Sequence, residues 1–315
     1  MSITIRTFED GDEHGVVRLF RDVFGREMTL KEWNWKYRGQ GNGIVPSIVM
    51  EDDGTGIVGH YGGILLRMVR DGLEIKGASN CDVMIHPKFR SFIRLKKMHN
   101  LCIDELVKAS VFMIYGFPTE DTLMIPADKL RLYERIEAVQ EAVKDVMFGN
   151  SPFRFLYELL PLAFDDIRID RLWDEAKDQF RLAVIRDRKY LSWRYGENPL
   201  FSYEIWGLKK RWSGDLLAVA VIKKERSEKL LIMDMVFKKD MLPVLLAKVE
   251  NMAYSEGKKK LSLWAPRQIR DILWDRGFSF LTTGTTLPRA MHPLTLSKNE
   301  VSENFFYTMG DTDYL

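Results

Sequence analysis

The sequence predicts an α/β protein with mixed sheets, built from two tandem domains of related fold. Three observations support this prediction. At 315 residues the chain is about twice as long as a typical domain. Apolar runs of strand length alternate with segments whose apolar residues recur at helical spacing. The order of these elements over residues 3–136 starts again near residue 166, which indicates an internal duplication.

Composition places the chain among ordinary globular proteins. It is 46% hydrophobic and 29% charged, with a net charge of +2, so it can bury a sizeable core and gives no global argument for nucleic acid or an anionic membrane. Cys81 and Cys102 both lie in apolar runs and are expected to be reduced, buried thiols. The first residues do not form a signal peptide, and no apolar run is long enough to span a bilayer. We therefore expect a cytoplasmic protein.

The first elements follow from alternation and from capping residues. Residues 3–6 alternate as a short strand. The apolar face over 16–24 predicts a helix ended by Gly25, and a second helix is predicted from its cap, Thr29, to Tyr37. The other elements before residue 74 are predicted strands and turns: 47–51, the turn 52–55, 57–69 and the hairpin turn 70–73.

Residues 74–136 contain the densest set of signals. A mostly apolar run over 78–86 predicts a buried strand. It is followed by Lys88–Lys97, which carries five cationic side chains, and a helix is predicted from about Arg94. Residues 110–118 predict a second buried strand, and 129–135 a further helix. The stretch therefore reads strand, basic loop, helix, strand, helix.

This order resembles the core of the GCN5-related N-acetyltransferase (GNAT) superfamily. The matching residues are Val83–Pro87, Phe89–Arg90, Tyr115–Pro118 and Leu132–Ile136. The chain departs from the family pattern at two places. Ile93 and Leu95 hold the positions of the family's loop glycines, and the Gly-Phe pair that follows the family's tyrosine is absent after Tyr133.

The second half repeats the element order at low identity. A short helix is predicted over 153–160 and a strand over 166–172. Three features of the first half then recur. They are Trp193–Tyr195 for Trp35–Tyr37, Asp234 for Asp82, and Ile269–Phe278 for the segment around Tyr133, with Gly277-Phe278 present. The predicted division is 1–148, an amino-terminal GNAT-like domain; 149–290, a degenerate carboxy-terminal one; and 291–315, a tail packed on both.

The resemblance implies an acyl-CoA site in the first copy. Two diverging parallel strands hold the pantetheine arm, and backbone N–H groups at a helix start hold the diphosphate. In the second copy the loop shrinks to Lys238–Met241 and Trp274 replaces Tyr133, so that copy is expected to be structural. The implied acyl-CoA contacts in the first copy are Met84, Ile85, Arg90, Ser91, Phe92, Ile93, Arg94, Leu95, Lys96 and Tyr115. The alternative is that the basic run is only a solvated loop and helix face.

The resemblance also implies direct acyl transfer from acetyl-CoA to a primary amine. Tyr133 matches the family's acid, since a phenol stays protonated at neutral pH; the alternative is a core tyrosine. Asp82 and His86 are candidate bases. For Asp82 a structural role is the alternative, because Asp234 recurs in the second copy, and for His86 a turn role. Strict alternation would place Asp82, Met84 and His86 on one face of the strand.

Other candidates are weaker. His60 and Tyr61 could line the cleft, and the acidic tail could bring Asp311 or Asp313 to the acceptor. The histidines lack metal-ligand spacing, so no metal is expected.

Three functions remain open. They are an N-acyltransferase for a small amine, amino sugar or amino acid; a binding protein on a degenerate GNAT scaffold; and a Fem-like transferase using aminoacyl-tRNA. The near-neutral net charge offers the last little support.

Overall fold

The computed structural model describes residues 2–39, 46–148, 155–223 and 227–312. The strands are β1 (Ile3–Thr7), β2 (Ile48–Asp52), β3 (Gly56–Arg70), β4 (Leu73–Ile85), β5 (Val111–Tyr115), β6 (Tyr133–Asp145), β7 (Tyr157–Leu162), β8 (Leu182–Val184), β9 (Tyr203–Lys210), β10 (Leu216–Lys223), β11 (Lys229–Phe237), β12 (Lys260–Trp264), β13 (Ser279–Ala290) and β14 (Phe305–Phe306). The predicted mixed α/β class is confirmed.

The α-helices in the same ranges are α1 (Glu13–Phe24), α2 (Leu30–Arg38), α3 (Phe92–Lys108), α4 (Glu120–Met124), α5 (Arg168–Ala176), α6 (Arg188–Leu191), α7 (Leu242–Ser255), α8 (Arg270–Asp275) and α9 (Lys298–Asn304). Single turns of 3-10 helix lie at Pro87–Phe89, Lys177–Gln179, Arg267–Ile269 and Met309–Asp311, and π-helical turns at Ile125–Lys129 and Ser192–Gly196. No helix in the described ranges is long and apolar enough to cross a bilayer.

The chain divides into two compact units. Unit 1 contains 1–67, 75–137 and 285–298, and unit 2 contains 68–74, 138–284 and 299–315. The division runs through β6 and β13. The predicted boundaries at 148 and 290, which describe the repeat in the sequence, stay a prediction, and the boundary segment Gly149–Pro152 lies outside the described residues.

Unit 1 is a mixed sheet with helices on both faces. Its strands follow the order β1-β2-β3-β4-β5-β13, with β4 and β5 parallel. One apolar cluster packs α1 and α2 against residues such as Val49 and Cys81. The other packs α3 against residues such as Ile48 and Ala78. Neighbouring residues of one strand belong to different clusters, so the clusters lie on opposite faces.

Unit 2 repeats this plan. The later part of β6 joins the order β6-β12-β11-β10-β9-β7, and β11 and β12 are parallel, like β4 and β5. The sequence β11, α7, β12, α8, β13 follows the same order as β4, α3, β5, α4, β6. The element order that suggested a duplication is therefore present in the structure.

Two elements of unit 2 differ from the prediction. Residues 168–172 form the start of α5 and residues 166–167 precede it, so the predicted strand is absent here. The Asp166 side chain accepts from the Arg168 N–H, and Ile169, Leu172, Trp173 and Ala176 form a buried helical face. Tyr157–Leu162 is strand β7, not a helix, and it pairs with β9. Pro161 is tolerated because β7 is the last strand of this order.

Candidate active site

A bulge in β4 organises the candidate site. Asp82 adopts a left-handed conformation with φ of 50°, which a non-glycine residue adopts only under constraint. Its carbonyl accepts a hydrogen bond from His60 Nδ1 at 2.8 Å. The extra residue breaks the alternation of the strand, so Cys81 and Met84 lie in the same apolar cluster. Strict alternation would place Cys81 and Met84 on opposite faces, so it does not hold through this part of β4.

The Asp82 side chain is bound into the core of unit 1. Its carboxylate accepts from Lys36 Nζ at 2.9 Å and from the Tyr37 hydroxyl at 2.5 Å. Burial alone would raise the Asp82 pKa, but the Lys36 charge and these two hydrogen bonds outweigh burial and lower it. In unit 2 the Tyr195 hydroxyl donates to Asp234 in the same way, at 2.8 Å. The same tyrosine–aspartate contact is present in both units. It agrees with a structural role for Asp82, which the recurrence of the residue as Asp234 suggested.

The parallel strands β4 and β5 separate after Ser79, three residues before the bulge at Asp82. Their pairing runs from Lys76 with Val111 to Ser79 with Tyr115. Beyond Ser79, β4 continues to Ile85, whereas β5 ends at Tyr115. Met84 and Ile85, whose backbone groups are the predicted thioester contacts, lie in this part of β4, which extends beyond its pairing with β5. Tyr115 is buried at the point of separation.

The turn between β4 and α3 stays open despite its bulky residues. Ile93 is 75% exposed, and Leu95 packs against the apolar cluster under α3. Ser91 precedes the helix and makes no side-chain cap. The first N–H groups of a helix have no acceptor inside the helix. In α3 the first N–H group that bonds within the helix is that of Leu95, which donates to the Ser91 carbonyl at 2.9 Å.

Two of the predicted cationic contacts brace this turn. Arg90 Nε donates to the Ile85 carbonyl at 3.2 Å, and Arg94 donates to the Phe89 carbonyl at 2.9 Å. Lys96 is exposed, as is half of Phe92. His86 Nδ1 accepts from the Lys88 N–H at 3.3 Å and its ring packs on Phe89, which is the turn role given above as the alternative for His86.

Tyr133 lies on a strand, and the predicted helix over 129–135 is wrong. The helical segment ends at Leu130, Arg131 turns left-handed with φ of 54°, and β6 begins at Tyr133. Gly277 has φ of 81° two residues before β13. Arg131 therefore takes the place of that glycine, and Tyr133 corresponds to Ser279 in the second copy rather than to Trp274. The tyrosine of the family pattern lies on a helix, whereas Tyr133 lies at the start of a strand, so the two positions do not coincide.

Tyr133 nevertheless belongs to a buried cluster of polar side chains, which we call the tyrosine cluster: Tyr61, Asn80, His99 and Tyr133. The two phenol oxygens are 2.5 Å apart. Asn80 donates to the Tyr133 hydroxyl at 2.6 Å, and the Tyr61 hydroxyl is 2.8 Å from His99 Nδ1. Sequence analysis gave Tyr61 only as a possible lining residue and missed Asn80 and His99. The available signal was a polar residue within each of two apolar segments.

The tyrosine cluster is uncharged at neutral pH. Burial raises the pKa values of Tyr61 and Tyr133 above their ordinary value. Burial, with a smaller contribution from His292, lowers the pKa of His99 to about 4. Burial and the nearby Arg289 likewise lower the pKa of His292 to about 4. All of these residues belong to unit 1.

Unit 1 is expected to lose stability as the pH falls from about 6.5 to about 4. In this window unfolded histidine binds a proton that folded His99 does not, so acid favours unfolding. For His99 alone the loss is about 3 kcal/mol. Denaturant unfolding of unit 1 at pH 7 and pH 4.5 measures it.

The control for this prediction is His99→Asn, which cannot titrate and should make the dependence shallower; the remainder comes from His60 and His292, whose pKa values burial also lowers in unit 1. Asp311, whose pKa is raised to about 6 by burial, acts in the opposite direction, because folding then favours its protonated form, but it belongs to unit 2. If the free energy of unfolding of unit 1 changes with pH equally in wild type and His99→Asn, the lowered pKa of His99 is contradicted.

The amino-terminal part of this architecture matches a known family. Residues 4–124 match the model described as an acetyltransferase (GNAT) domain. This part of the chain is similar to GNAT domains. The resemblance carried by Val83–Pro87 and Tyr115–Pro118 is thereby confirmed, and the N-acetyltransferase class is supported. Comparison with curated proteins found no match.

Solved GNAT-type structures share the fold of nearly the whole chain. A probable N-acyltransferase from Enterococcus faecalis has a TM-score of 0.74 at 12% identity, covering 96% of this chain and 75% of its own. A GCN5-related N-acetyltransferase from Anabaena variabilis has a TM-score of 0.66 at 12% identity, covering 91% and 72%. Saccharomyces cerevisiae N-myristoyltransferase with bound myristoyl-CoA has a TM-score of 0.56 at 10% identity, covering 92% and 78%.

The other predicted features have these outcomes. Asp311 is buried in unit 2 and bound to Arg186 rather than free to act as an acceptor ligand, and Asp313 lies outside the described residues. The described residues contain no group of three or more His, Cys, Asp or Glu side chains placed to hold a metal. The GNAT domain implies an acyl-CoA co-substrate, and the separated β4 and β5 with the open turn before α3 fit an extended thioester arm ending in a diphosphate.

Proposed function

We propose that this protein transfers an acetyl group from acetyl-CoA to the primary amine of a small molecule, an amino sugar or an amino acid. The observation that carries the proposal is the separation of β4 from β5 beyond Ser79, next to the open turn before α3. An extended pantetheine arm can pair with the free edge of β4. Its diphosphate can bind the unpaired N–H groups at the start of α3.

The proposed reaction needs one acid and one oxyanion donor. The amine nitrogen attacks the thioester carbon, the C–N bond forms, and the C–S bond breaks as the amine loses a proton to solvent. Tyr133 gives its proton to the leaving thiolate. A backbone N–H of β4 near Met84 or Ile85 stabilises the tetrahedral oxyanion. Asp82 and His86 are not needed as bases in this scheme, because their side chains serve the core and the turn.

The diphosphate position predicts the effect of a charge at Ile93. Because this side chain is 75% exposed, Ile93→Asp should fold normally but repel the diphosphate. We expect the Kd for acetyl-CoA to rise roughly tenfold at low salt, with the difference shrinking at high salt. Isothermal titration measures it.

Ile93→Asn is the matched control for this experiment, since it has nearly the same shape without the charge and should bind close to wild type. If Ile93→Asp and Ile93→Asn bind acetyl-CoA equally well, the diphosphate does not bind at this turn. The alternative of a GNAT-type binding protein predicts acetyl-CoA binding without thiol release, and no binding at millimolar acetyl-CoA would reject both readings.

A cytoplasmic location is part of the proposal. Cys81 and Cys102 are buried thiols, which fits a reducing compartment.

A further inference from the structure

The hydrogen bonds of the tyrosine cluster form a chain with one fixed donor. The Asn80 amide nitrogen can only donate, so the Tyr133 oxygen accepts from it at 2.6 Å. In one arrangement the Tyr133 hydroxyl donates to the Tyr61 oxygen, 2.5 Å away. The Tyr61 hydroxyl then donates to His99 Nδ1 at 2.8 Å, and neutral His99 carries its own hydrogen on Nε2. In this arrangement the donor chain runs from Asn80 through Tyr133 and Tyr61 to His99.

The same groups can be arranged in the opposite direction. If the hydrogen of His99 moves to Nδ1, that nitrogen donates to Tyr61, and Tyr61 donates to Tyr133. The Tyr133 oxygen then accepts from both Tyr61 and Asn80, and its own hydrogen is free for an outside acceptor. A hydroxyl can donate and accept, and neutral imidazole has one nitrogen of each kind, so both arrangements satisfy Tyr61 and Tyr133.

His292 adds a second imidazole near the inner end of this chain. Its ring is only 9% exposed, and within the described residues neither ring nitrogen has a hydrogen-bond partner. It lies close enough to His99 to lower the pKa of that residue. Buried polar atoms without partners cost stability. A purely structural core would be expected to hold apolar side chains here.

We propose that Tyr61 and His99 resupply the proton that Tyr133 gives to the leaving thiolate. This inference rests on the proposed acetyl transfer. As the C–S bond breaks, the proton of Tyr133 moves to sulfur, that of Tyr61 moves to Tyr133, and that of His99 Nδ1 moves to Tyr61. His99 Nε2 takes one proton from water, replacing the proton that the amine released to solvent. The end state is the arrangement in which Tyr133 donates to Tyr61 and Tyr61 donates to His99.

Tyr61 and His99 are thus positioning and proton-supplying residues, whereas Tyr133 contacts the leaving group. Proton supply acts on the chemical step and not on ground-state binding, so it should affect kcat and leave the KM for acetyl-CoA unchanged. A structural role for the cluster would instead lower stability and leave the proton-transfer step unaffected.

Two variants test this proposal. Tyr61→Phe removes the middle of the chain. His99→Asn keeps an oxygen near the place of Nδ1 to accept from Tyr61, but it cannot pass a proton on. Thiol release from acetyl-CoA is measured with a panel of primary amines: a polyamine, an amino sugar and an amino acid. We expect kcat to fall roughly tenfold or more in both variants, with the KM for acetyl-CoA unchanged.

Mixtures of light and heavy water give a second readout. The wild-type rate of thiol release should fall along a curve as the deuterium fraction rises, because several protons move in the same step. The rate of Tyr61→Phe should fall linearly, because the chain that moves these protons is interrupted. In protein labelled with 15N-histidine, His99 should show the Nε2–H form, and Tyr61→Phe should shift its Nδ1 resonance.

The outcomes separate this proposal from the proposed function. Suppose that the wild-type enzyme releases thiol and that both variants have its kcat and its curved isotope dependence. This result would reject proton supply by Tyr61 and His99 and would leave the proposed acetyl transfer unaffected. A His99 ring fixed with Nδ1 protonated and unaffected by Tyr61→Phe also overturns it. No thiol release by the wild type with any amine or with water rejects both.

Discussion

Replacing Tyr133 by phenylalanine is expected to lower kcat for thiol release from acetyl-CoA about 100-fold, with the Kd for acetyl-CoA within about twofold of wild type. The thiolate must then leave without an acid, whereas the binding contacts are unchanged. The aromatic ring keeps its place in the apolar cluster under α3, so unit 1 should still fold. Steady-state kinetics with a titration of acetyl-CoA binding measures both quantities.

Tyr195→Phe is the control for this experiment. It also removes a buried phenol, the one that donates to Asp234 in unit 2, and it should reduce stability without changing kcat. If Tyr133→Phe kept the wild-type kcat, Tyr133 would be a core tyrosine and the acid would have to be sought elsewhere.

Replacing Arg186 by methionine is expected to lower the free energy of unfolding of unit 2 by about 3–5 kcal/mol. Arg186 is fully buried and donates to Asp234 at 2.6 Å, to Asp311 at 2.5 Å and to the Val184 carbonyl at 2.9 Å. Without the guanidinium, two buried carboxylates face each other without a cation. Denaturant unfolding followed by hydrogen exchange in unit 2 measures the loss.

Two further variants test the cause of that loss. Arg171→Met removes an exposed cation that pairs with Glu175 and Asp215, and it should change stability by less than about 0.5 kcal/mol. Combining Arg186→Met with Asp234→Asn and Asp311→Asn removes the uncompensated charge and should recover part of the loss. A triple variant less stable than Arg186→Met would show that packing, not charge, dominates.

Strands β1 to β5 of unit 1 could be predicted from the sequence because each carries its own local signal. The apolar run of β4, the capping residue Thr29 and the glycine after α1 all act within a few residues. The predicted strand–helix–strand order around Pro87 therefore holds, and the match of residues 4–124 to a GNAT domain follows from the same local pattern.

The wrong elements arose where a local pattern fitted two structures. Residues 166–172 alternate over a short window, and only the apolar positions further along show the helical period of α5. Near Tyr133 no glycine marks the end of the helical segment, because Arg131 adopts the left-handed conformation instead. A strand was therefore predicted as a continuation of the helix.

The tyrosine cluster could not have been predicted from spacing. Tyr61 and Tyr133 are 72 residues apart in sequence, and Tyr61 and His99 are 38 apart. Such contacts depend on strand register and helix placement, which a one-residue bulge at Asp82 changes. The sequence indicates the class of chemistry, and the register of β3, β4 and β6 determines which side chains meet.

The assignment of residues 285–298 to unit 1 has a consequence for biosynthesis. Arg289 of β13 pairs with Tyr115 of β5, and β13 is synthesised well after β5, because all of unit 2 from 138 to 284 lies between them in sequence. Unit 1 therefore cannot complete its sheet while the middle of the chain is being translated. Until β13 is made, the edge of β5 that pairs with it has no partner strand. Nascent chains arrested near residue 250 should accordingly be protease-sensitive and prone to chaperone capture, although all of the GNAT-matching residues 4–124 have already been made.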